Sequence, residues 1–286
     1  MPQPELGREL RERCSCQNEG SWDQLDYGCG RAAALRLWPH GNAHERECAI
    51  ERRMSKPLCA VVGVGAGNGA ALARAFARTG MAVALLARRT DFTRDLAREL
   101  SDARPYACDV SDPSSVAHAF ATVRSEMGDQ ATLVYNAGSG VWGDVESITL
   151  DNFEAAWRVN AYGALAASRE VIPAMKAVGS GTIIFIGATA SRRGGPRTAA
   201  FAPAKAAQRS LAESMARSLW PQGIHVALIV IDAVVDLPGT RRNMPDKPDS
   251  FFLKPDDMAA TAVWLAQQPP SAWTFEVDVR PFGENW

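Results

Sequence analysis

The sequence predicts an α/β protein, a parallel sheet with helices on both faces, and three observations predict it. Short apolar runs alternate with segments of helical period along most of the chain, the pattern of βαβ units. The run Leu58 to Val62 is apolar without interruption, as a strand covered on both faces should be. Four glycines, Gly63, Gly65, Gly67 and Gly69, follow it and lead straight into a helical pattern.

That helix starts the order of elements. From Ala70 the apolar residues Leu72, Ala75 and Phe76 recur at helical spacing, with Arg74 and Arg78 on the other face. A turn without side chains at a helix start lets backbone N–H groups and the positive helix end hold a pyrophosphate. Gly63, Gly65, Ala66, Gly67, Asn68 and Gly69 are therefore expected to cradle a dinucleotide. The second strand ends in Ala87, Arg88 and Arg89. An acidic residue about 20 positions past the glycines would bond a ribose 2′-hydroxyl. With Ala87 there instead, and two guanidiniums to clamp a phosphate, the expected cofactor is NADP.

Cys108, Asp109 and Val110 end a third strand, and Leu133 to Tyr135 form a fourth that runs into Asn136, Ala137 and Gly138. A long helical pattern covers Asp151 to Lys176 and contains Asn160. Gly181 to Ile186 reads as a fifth strand, Thr198 to Leu219 as a helix and Ile224 to Ile231 as a sixth strand. Asp256 to Gln267 reads as a late helix, and Trp273 to Arg280 as the last strand.

The spacing Gly63-x-x-x-Gly67-x-Gly69, together with Asn136-Ala137-Gly138, Asn160 and Lys205, resembles the short-chain dehydrogenase/reductase superfamily. The resemblance covers roughly residues 56–282. It implies a three-layer, Rossmann-type, doubly wound parallel sheet in a single domain, residues 54–286. It implies Asp109 against the adenine, further cofactor contacts at Val110, Asn136, Ala137, Gly138, Lys205 and Ala233, and a small-molecule substrate. It also implies a catalytic set. In that family the fifth strand ends in a Ser that bonds the substrate carbonyl. Thirteen residues later comes Tyr-x-x-x-Lys, in which the Tyr moves the proton and the Lys holds the ribose. Here the Ser position is Ala188, and thirteen residues on the segment reads Phe201-Ala202-Pro203-Ala204-Lys205. Asn160 and Lys205 match the pattern; Ala188 and Phe201 depart from it.

The chemistry gives that departure weight. A nicotinamide carries the hydride itself, but an unactivated ketone also needs a positioned acid, worth roughly 10²–10⁴ in rate. An oxyanion donor adds roughly 10²–10³. Alanine and phenylalanine supply neither. Nearby hydroxyls at Ser139, Thr189, Ser191 and Thr198 can orient a substrate but are poor acids. Tyr162 lies two residues from Asn160, off its helix face. Asp232 and Asp236 follow the sixth strand, either as acids of raised pKa or as loop aspartates. Two functions stay open: an NADP-dependent oxidoreductase acting on a carbonyl or enoyl substrate by an altered mechanism, or a catalytically inactive NADP-binding protein. Residues 236–257 are rich in Pro and Gly and carry Phe251 and Phe252; the resemblance implies a mobile lid over the substrate there, with Trp142 near the same pocket.

The bulk numbers narrow the rest. A net charge of −1 gives no nucleic-acid signal, and no apolar run is long enough for a membrane span. Cys59 and Cys108 sit on apolar strands and read as buried thiols of a reducing, cytoplasmic setting. Residues 1–53 carry Cys14, Cys16, Cys29, Cys48, His40 and His44 without a sustained apolar period. They read as a disordered extension, or as sequence ahead of a true start at Met54. The C-x-C and H-x-x-x-H spacings lack the paired pattern of a zinc module, so no metal is expected. Alanine-rich runs (Ala161, Ala164, Ala166, Ala167; Ala204, Ala206, Ala207) permit close approach to a partner helix or equally to the chain's own sheet, and the resemblance implies a homodimer or homotetramer.

Overall fold

An apolar strand needs cover on both faces, and Leu58–Val62 (β1) has it: all five residues are buried in the middle of the sheet. The computed structural model describes residues 56–284. The expectations for residues 1–53 lie outside the described residues. β1 is joined by Ala82–Ala87 (β2), Ala103–Ala107 (β3), Gln130–Tyr135 (β4), Gly181–Ala188 (β5), Ile224–Ile231 (β6) and Glu276–Val279 (β9). They form one seven-stranded sheet in the order β3-β2-β1-β4-β5-β6-β9, and every neighbouring pair is parallel. The doubly wound fold expected from the sequence is the observed one.

The two faces are covered by different helices. Asn68–Arg78 (α1), Asp91–Glu99 (α2) and Pro255–Ala266 (α8) cover one face; Leu72, Phe76, Leu96, Met258 and Leu265 pack there on Val61, Leu85 and Ile229. Pro113–Met127 (α3), Gly163–Val178 (α5) and Phe201–Leu219 (α6) cover the other; Phe120, Val171, Met175 and Leu219 pack there on Leu133, Phe185 and Leu228. Residues of strands such as Ile183, Ile184 and Phe185 alternate between these two cores, as the two-residue period of a strand requires. α3 starts where the Asp112 carboxylate accepts the Ser114 N–H at 2.9 Å, with Pro113 at its first position.

The pattern expected as one helix over Asp151 to Lys176 is interrupted. Leu150–Trp157 (α4) passes through a π-helical turn, Arg158–Tyr162, into α5. A wide turn frees backbone carbonyls, and side chains answer them. Asn160 Nδ2 donates to the Ala156 carbonyl at 2.8 Å, and the buried Tyr135 hydroxyl donates to the Val159 carbonyl at 2.5 Å. Gly163 lets the helix come this near: a Cβ there would lie 2.5 Å from the Val110 carbonyl oxygen.

Other boundaries shift for local reasons. The helix expected from Thr198 starts at Phe201, because the Thr198 hydroxyl bonds the Gly195 backbone at 2.7 and 3.0 Å and its strand-like backbone bridges Gly143. The last strand starts at Glu276 instead of Trp273, whose ring stacks on His225 at 4.9 Å. Glu276 and Asp278 of that strand take Arg192, and Glu276 also takes Arg209 of α6. The alanines offered for contact with a partner face inward in part: Ala161, Ala164, Ala167 and Ala204 are buried within this chain. The segment after β6 has its own order. Val234–Val235 (β7) pairs with Phe252–Leu253 (β8), and Pro238–Asn243 (α7) lies between them in sequence. No helix among the described residues is long and apolar enough to cross a membrane.

Candidate functional site

The carboxyl ends of β1 and β4 part at the middle of the sheet, because their outgoing chains turn to opposite faces. Ligands of open α/β sheets bind at such a point. A cavity of about 1130 Å³ opens there. Of the expected cofactor residues, Gly63, Gly65, Ala66, Arg88, Arg89, Asp109, Val110, Asn136, Ala137 and Gly138 line it. Asp91, Phe92, Ala155, Arg158 and Val159 line it as well and were not expected.

The glycines do different work. Gly63 has φ +87°, and a Cβ on it would lie 2.5 Å from the Ala137 backbone. Asn136 closes the same junction, its N–H on the Val62 carbonyl and its Nδ2 on the Gly63 carbonyl, 2.9 and 2.8 Å. Gly69 packs on Gly63 and Val64, and Gly67 lies under the Leu237 side chain, 2.6 Å from where its Cβ would be. Gly65 is different: a Cβ there meets nothing within 4 Å. No side chain caps the start of α1 and its first turn holds no acid, so its leading N–H groups suit an anion. The Asn68 Oδ1 beside it is buried without a partner. An open cradle at Gly65 and an uncapped helix start fit a pyrophosphate.

At one end of the cavity lie Arg88 and Arg89, with Asp91, which pairs with Arg94 at 3.3 Å. Asp109 accepts from the Ser111 hydroxyl and N–H at 2.7 and 2.9 Å, which hold its carboxyl below the usual range.

At the other end, Asn160 and Lys205 sit behind Gly138, whose Cβ would come 3.4 Å from Asn160 Oδ1 and 3.8 Å from Lys205 Nζ. Lys205 is buried and donates to the Ile186 carbonyl at 2.8 Å and to Gln208 Oε1 at 3.0 Å. Burial lowers its pKa to about 7. Gln208 in turn donates from Nε2 to the Asn160 carbonyl at 2.9 Å. Gln208 was missed in the sequence, where its one signal is a polar residue in the stripe Ala204, Lys205, Ala212, Met215.

Ala188, Phe201 and Ala233 stand outside the cavity wall. The Ala188 N–H donates to Ser191 Oγ at 3.1 Å. The Phe201 ring packs on Trp142, 5.2 Å between centroids, and Trp142 is 59% exposed. The loops beside these rings are tied by Gly143 N–H to the Arg197 carbonyl and Ala199 N–H to the Gly143 carbonyl, 3.0 and 3.2 Å.

The substitute acids fare poorly. Asp232 is nearly buried and is held by Arg280 and by the Thr189 hydroxyl. Asp236 takes both Arg241 contacts at 2.7 and 2.8 Å, and that guanidinium holds its carboxyl below the usual range. Of the two readings open for Asp236, the loop aspartate is the one that holds. Tyr162 packs on Trp157 at 5.8 Å and under Arg158. Among the described residues no group of His, Cys, Asp and Glu has the arrangement of a metal site.

The short chain dehydrogenase family model matches residues 58–243. A curated relative, "Inactive 2-(S)-hydroxypropyl-CoM dehydrogenase 2" of Xanthobacter autotrophicus, is 29% identical over 208 residues, 68% of this chain and 90% of its own. A short-chain dehydrogenase structure from Rhodopseudomonas palustris is 32% identical with a TM-score of 0.69, covering 79% of this chain and 99% of that one. A metagenomic short-chain oxidoreductase solved in complex with NADP is 29% identical with a TM-score of 0.70, covering 80% and 98%.

The glycine geometry separates two substitutions. Gly63→Ala meets both an unfavourable φ and the Ala137 backbone and should lose about 2–5 kcal/mol in urea unfolding. Gly65→Val grows into the cavity and should change stability by no more than about 0.5 kcal/mol. Equal losses at the two positions would contradict this placement of the turn.

Proposed function

Because the chain belongs to the short-chain dehydrogenase family, we propose that it is an NADP-dependent oxidoreductase passing hydride between nicotinamide and a small carbonyl or enoyl substrate by an altered mechanism. What carries the reading is the cavity itself: an uncapped helix start at its middle, Arg88 and Arg89 at one end, and Lys205 behind Gly138 at the other. When bound, the nicotinamide supplies the hydride. Gly65 and the start of α1 bind the pyrophosphate, and the two guanidiniums pair with the 2′-phosphate. Asn160 and Lys205 hold the inner end. The buried thiols of Cys59 and Cys108 suit a reducing, cytoplasmic setting.

Ala188 and Phe201 stand at the family's Ser and Tyr positions, so neither a carbonyl donor nor a phenol is offered. Asp232 and Asp236 are engaged by arginines. The substrate is accordingly one that needs little acid help, a conjugated or thioester-activated carbonyl. A second reading, an inactive NADP-binding protein, is favoured by the same two residues and by the relative that is named inactive. NADPH consumption against ketones, enals and enoyl thioesters separates the two. Turnover of an enal or enoyl thioester is expected, and no turnover with any of them alongside micromolar NADPH binding rules out the enzyme.

A second copy of the chain is proposed as its partner. Leu150, Phe153 and Trp157 follow one face of α4 and are 87%, 42% and 42% exposed, an apolar stripe that another copy would cover. Light scattering at micromolar concentration should give a dimer or tetramer, and Phe153→Glu with Trp157→Glu should reduce it to a monomer. A monomeric parent chain refutes the assembly.

The cofactor choice has its own measurement. NADPH should bind more tightly than NADH, and Arg88→Ala with Arg89→Ala should lose about 2–4 kcal/mol of NADPH affinity by titration. Equal affinity for the two cofactors removes the role given to these arginines.

The missing acid can be restored. Phe201→Tyr with Ala188→Ser places a phenol one helical turn before Lys205, whose charge would lower the phenol pKa. Ketone reduction should appear, or rise at least about 10²-fold over a trace, and Phe201→Tyr alone should give less. A double variant that binds NADPH without reducing ketones would mean that the pocket does not take ketones or that the cofactor is held in another pose.

A further inference from the structure

We infer that Gln208 is the positioning residue of this site: its carboxamide ties the Lys205 ammonium to the Asn160 backbone and so fixes which way the ammonium points. The inference rests on the reading of Lys205 as the group that meets the cofactor's inner end. The geometry is specific. Gln208 is fully buried and lies one helical turn after Lys205 on α6, so the two side chains share a face. Its Oε1 accepts from Lys205 Nζ at 3.0 Å while its Nε2 donates to the Asn160 carbonyl at 2.9 Å. Asn160 is itself pinned, its Nδ2 on the Ala156 carbonyl at 2.8 Å in the π turn. The chain of contacts therefore runs from α6 through one amide to α4.

Three N–H bonds leave an ammonium. Two are taken inside the protein, by Ile186 and by Gln208. The third is left for the side of Gly138, which lines the cavity and lies 3.8 Å from Nζ as measured to its would-be Cβ. The Asn160 Oδ1, buried and without a partner, faces the same glycine. Without Gln208, the ammonium would lose an acceptor and the Asn160 carbonyl a donor, both at buried positions.

Among the described residues no ionisable side chain faces this ammonium, and burial alone shifts it. On the elements around it, Arg158 pairs with Glu154, Tyr162 packs on Trp157, Arg209 pairs with Glu276, and the His225 ring nitrogen bonds the Thr274 carbonyl. A change at 208 is thus read out at Lys205 without interference from another charge.

The chain has only five lysines, so each is separable by NMR of the lysine side-chain carbons in the full-length protein. Lys205 is the signal lost in Lys205→Arg. Its titration midpoint, about 7 with Gln208 present, should rise by at least about one unit in Gln208→Glu, which keeps the shape and adds a charge. It should fall in Gln208→Leu, which keeps the bulk and removes the acceptor. NADPH affinity should weaken about tenfold in Gln208→Leu and recover in part in Gln208→Asn only if the shorter amide still reaches Lys205. If Gln208→Leu does not fold, the Glu variant decides alone. Midpoints that stay with the parent in folded variants overturn the inference, since a residue that only fills space would not move them. A parent chain that fails to bind NADPH counts against the proposed function, while the lysine titration still judges Gln208.

Discussion

The structure depends on one close approach, the carboxyl end of β1 against that of β4. Gly63 meets the backbone of Ala137 with no room for a Cβ, and Asn136 fastens the junction with two hydrogen bonds. From this seam the two outgoing chains leave in opposite directions, one into α1 and one towards α4. Parting them makes the cavity. The same seam places the uncapped start of α1 on one side and Gly138, with Lys205 behind it, on the other. The sheet order, with β1 and β4 at the centre, keeps the junction covered by two separate apolar cores. An opening at the middle of a rigid sheet is thereby held open by packing on both of its faces.

The inner end of the cavity obeys a different constraint, the cost of burying an ammonium. A charge out of water must be met by hydrogen bonds or give up its proton. Lys205 is met by a strand carbonyl and by a side-chain amide, with no carboxylate near it among the described residues. Burial with no opposing charge lowers its pKa to about 7. The two aspartates that follow β6 are in the opposite condition. Each carries an arginine, and each is thereby kept to structural work: Asp232 joins the end of β6 to Arg280, and Asp236 holds Arg241 against the Phe252 ring at 4.1 Å.

Much of this was legible in the chain. β1 and the glycine turn were readable because a doubly covered strand has to be apolar throughout and because a phosphate cradle has to lack side chains. Arg88 and Arg89 were readable because they stand at a fixed distance from that turn. What was illegible depended on partners far away in sequence. The π turn has no residue type that marks it, and its widened backbone is answered by Tyr135, 24 residues earlier. The fate of Asp232 is set by Arg280, 48 residues later. Gln208 looks like one more helix residue until Asn160, 48 residues before it, is seen to receive its amide. The inward-facing alanines were ambiguous for a related reason, since small residues allow close packing against any neighbour, including the chain's own sheet.

The π turn makes the length of the segment between β4 and β5 matter to a single residue. A π turn holds one residue more than an α turn over the same rise. Each residue of an α-helix rotates the next by about 100°. Everything in α5 is therefore phased by that one additional residue, and Ala164, Ala167, Val171 and Met175 face the sheet only because it is counted in. In a surface loop one residue more or less is absorbed by slack. Here it acts as an angular offset between two rigid rods, so that Asn160 sits at the one place where the reading frame of the helix changes.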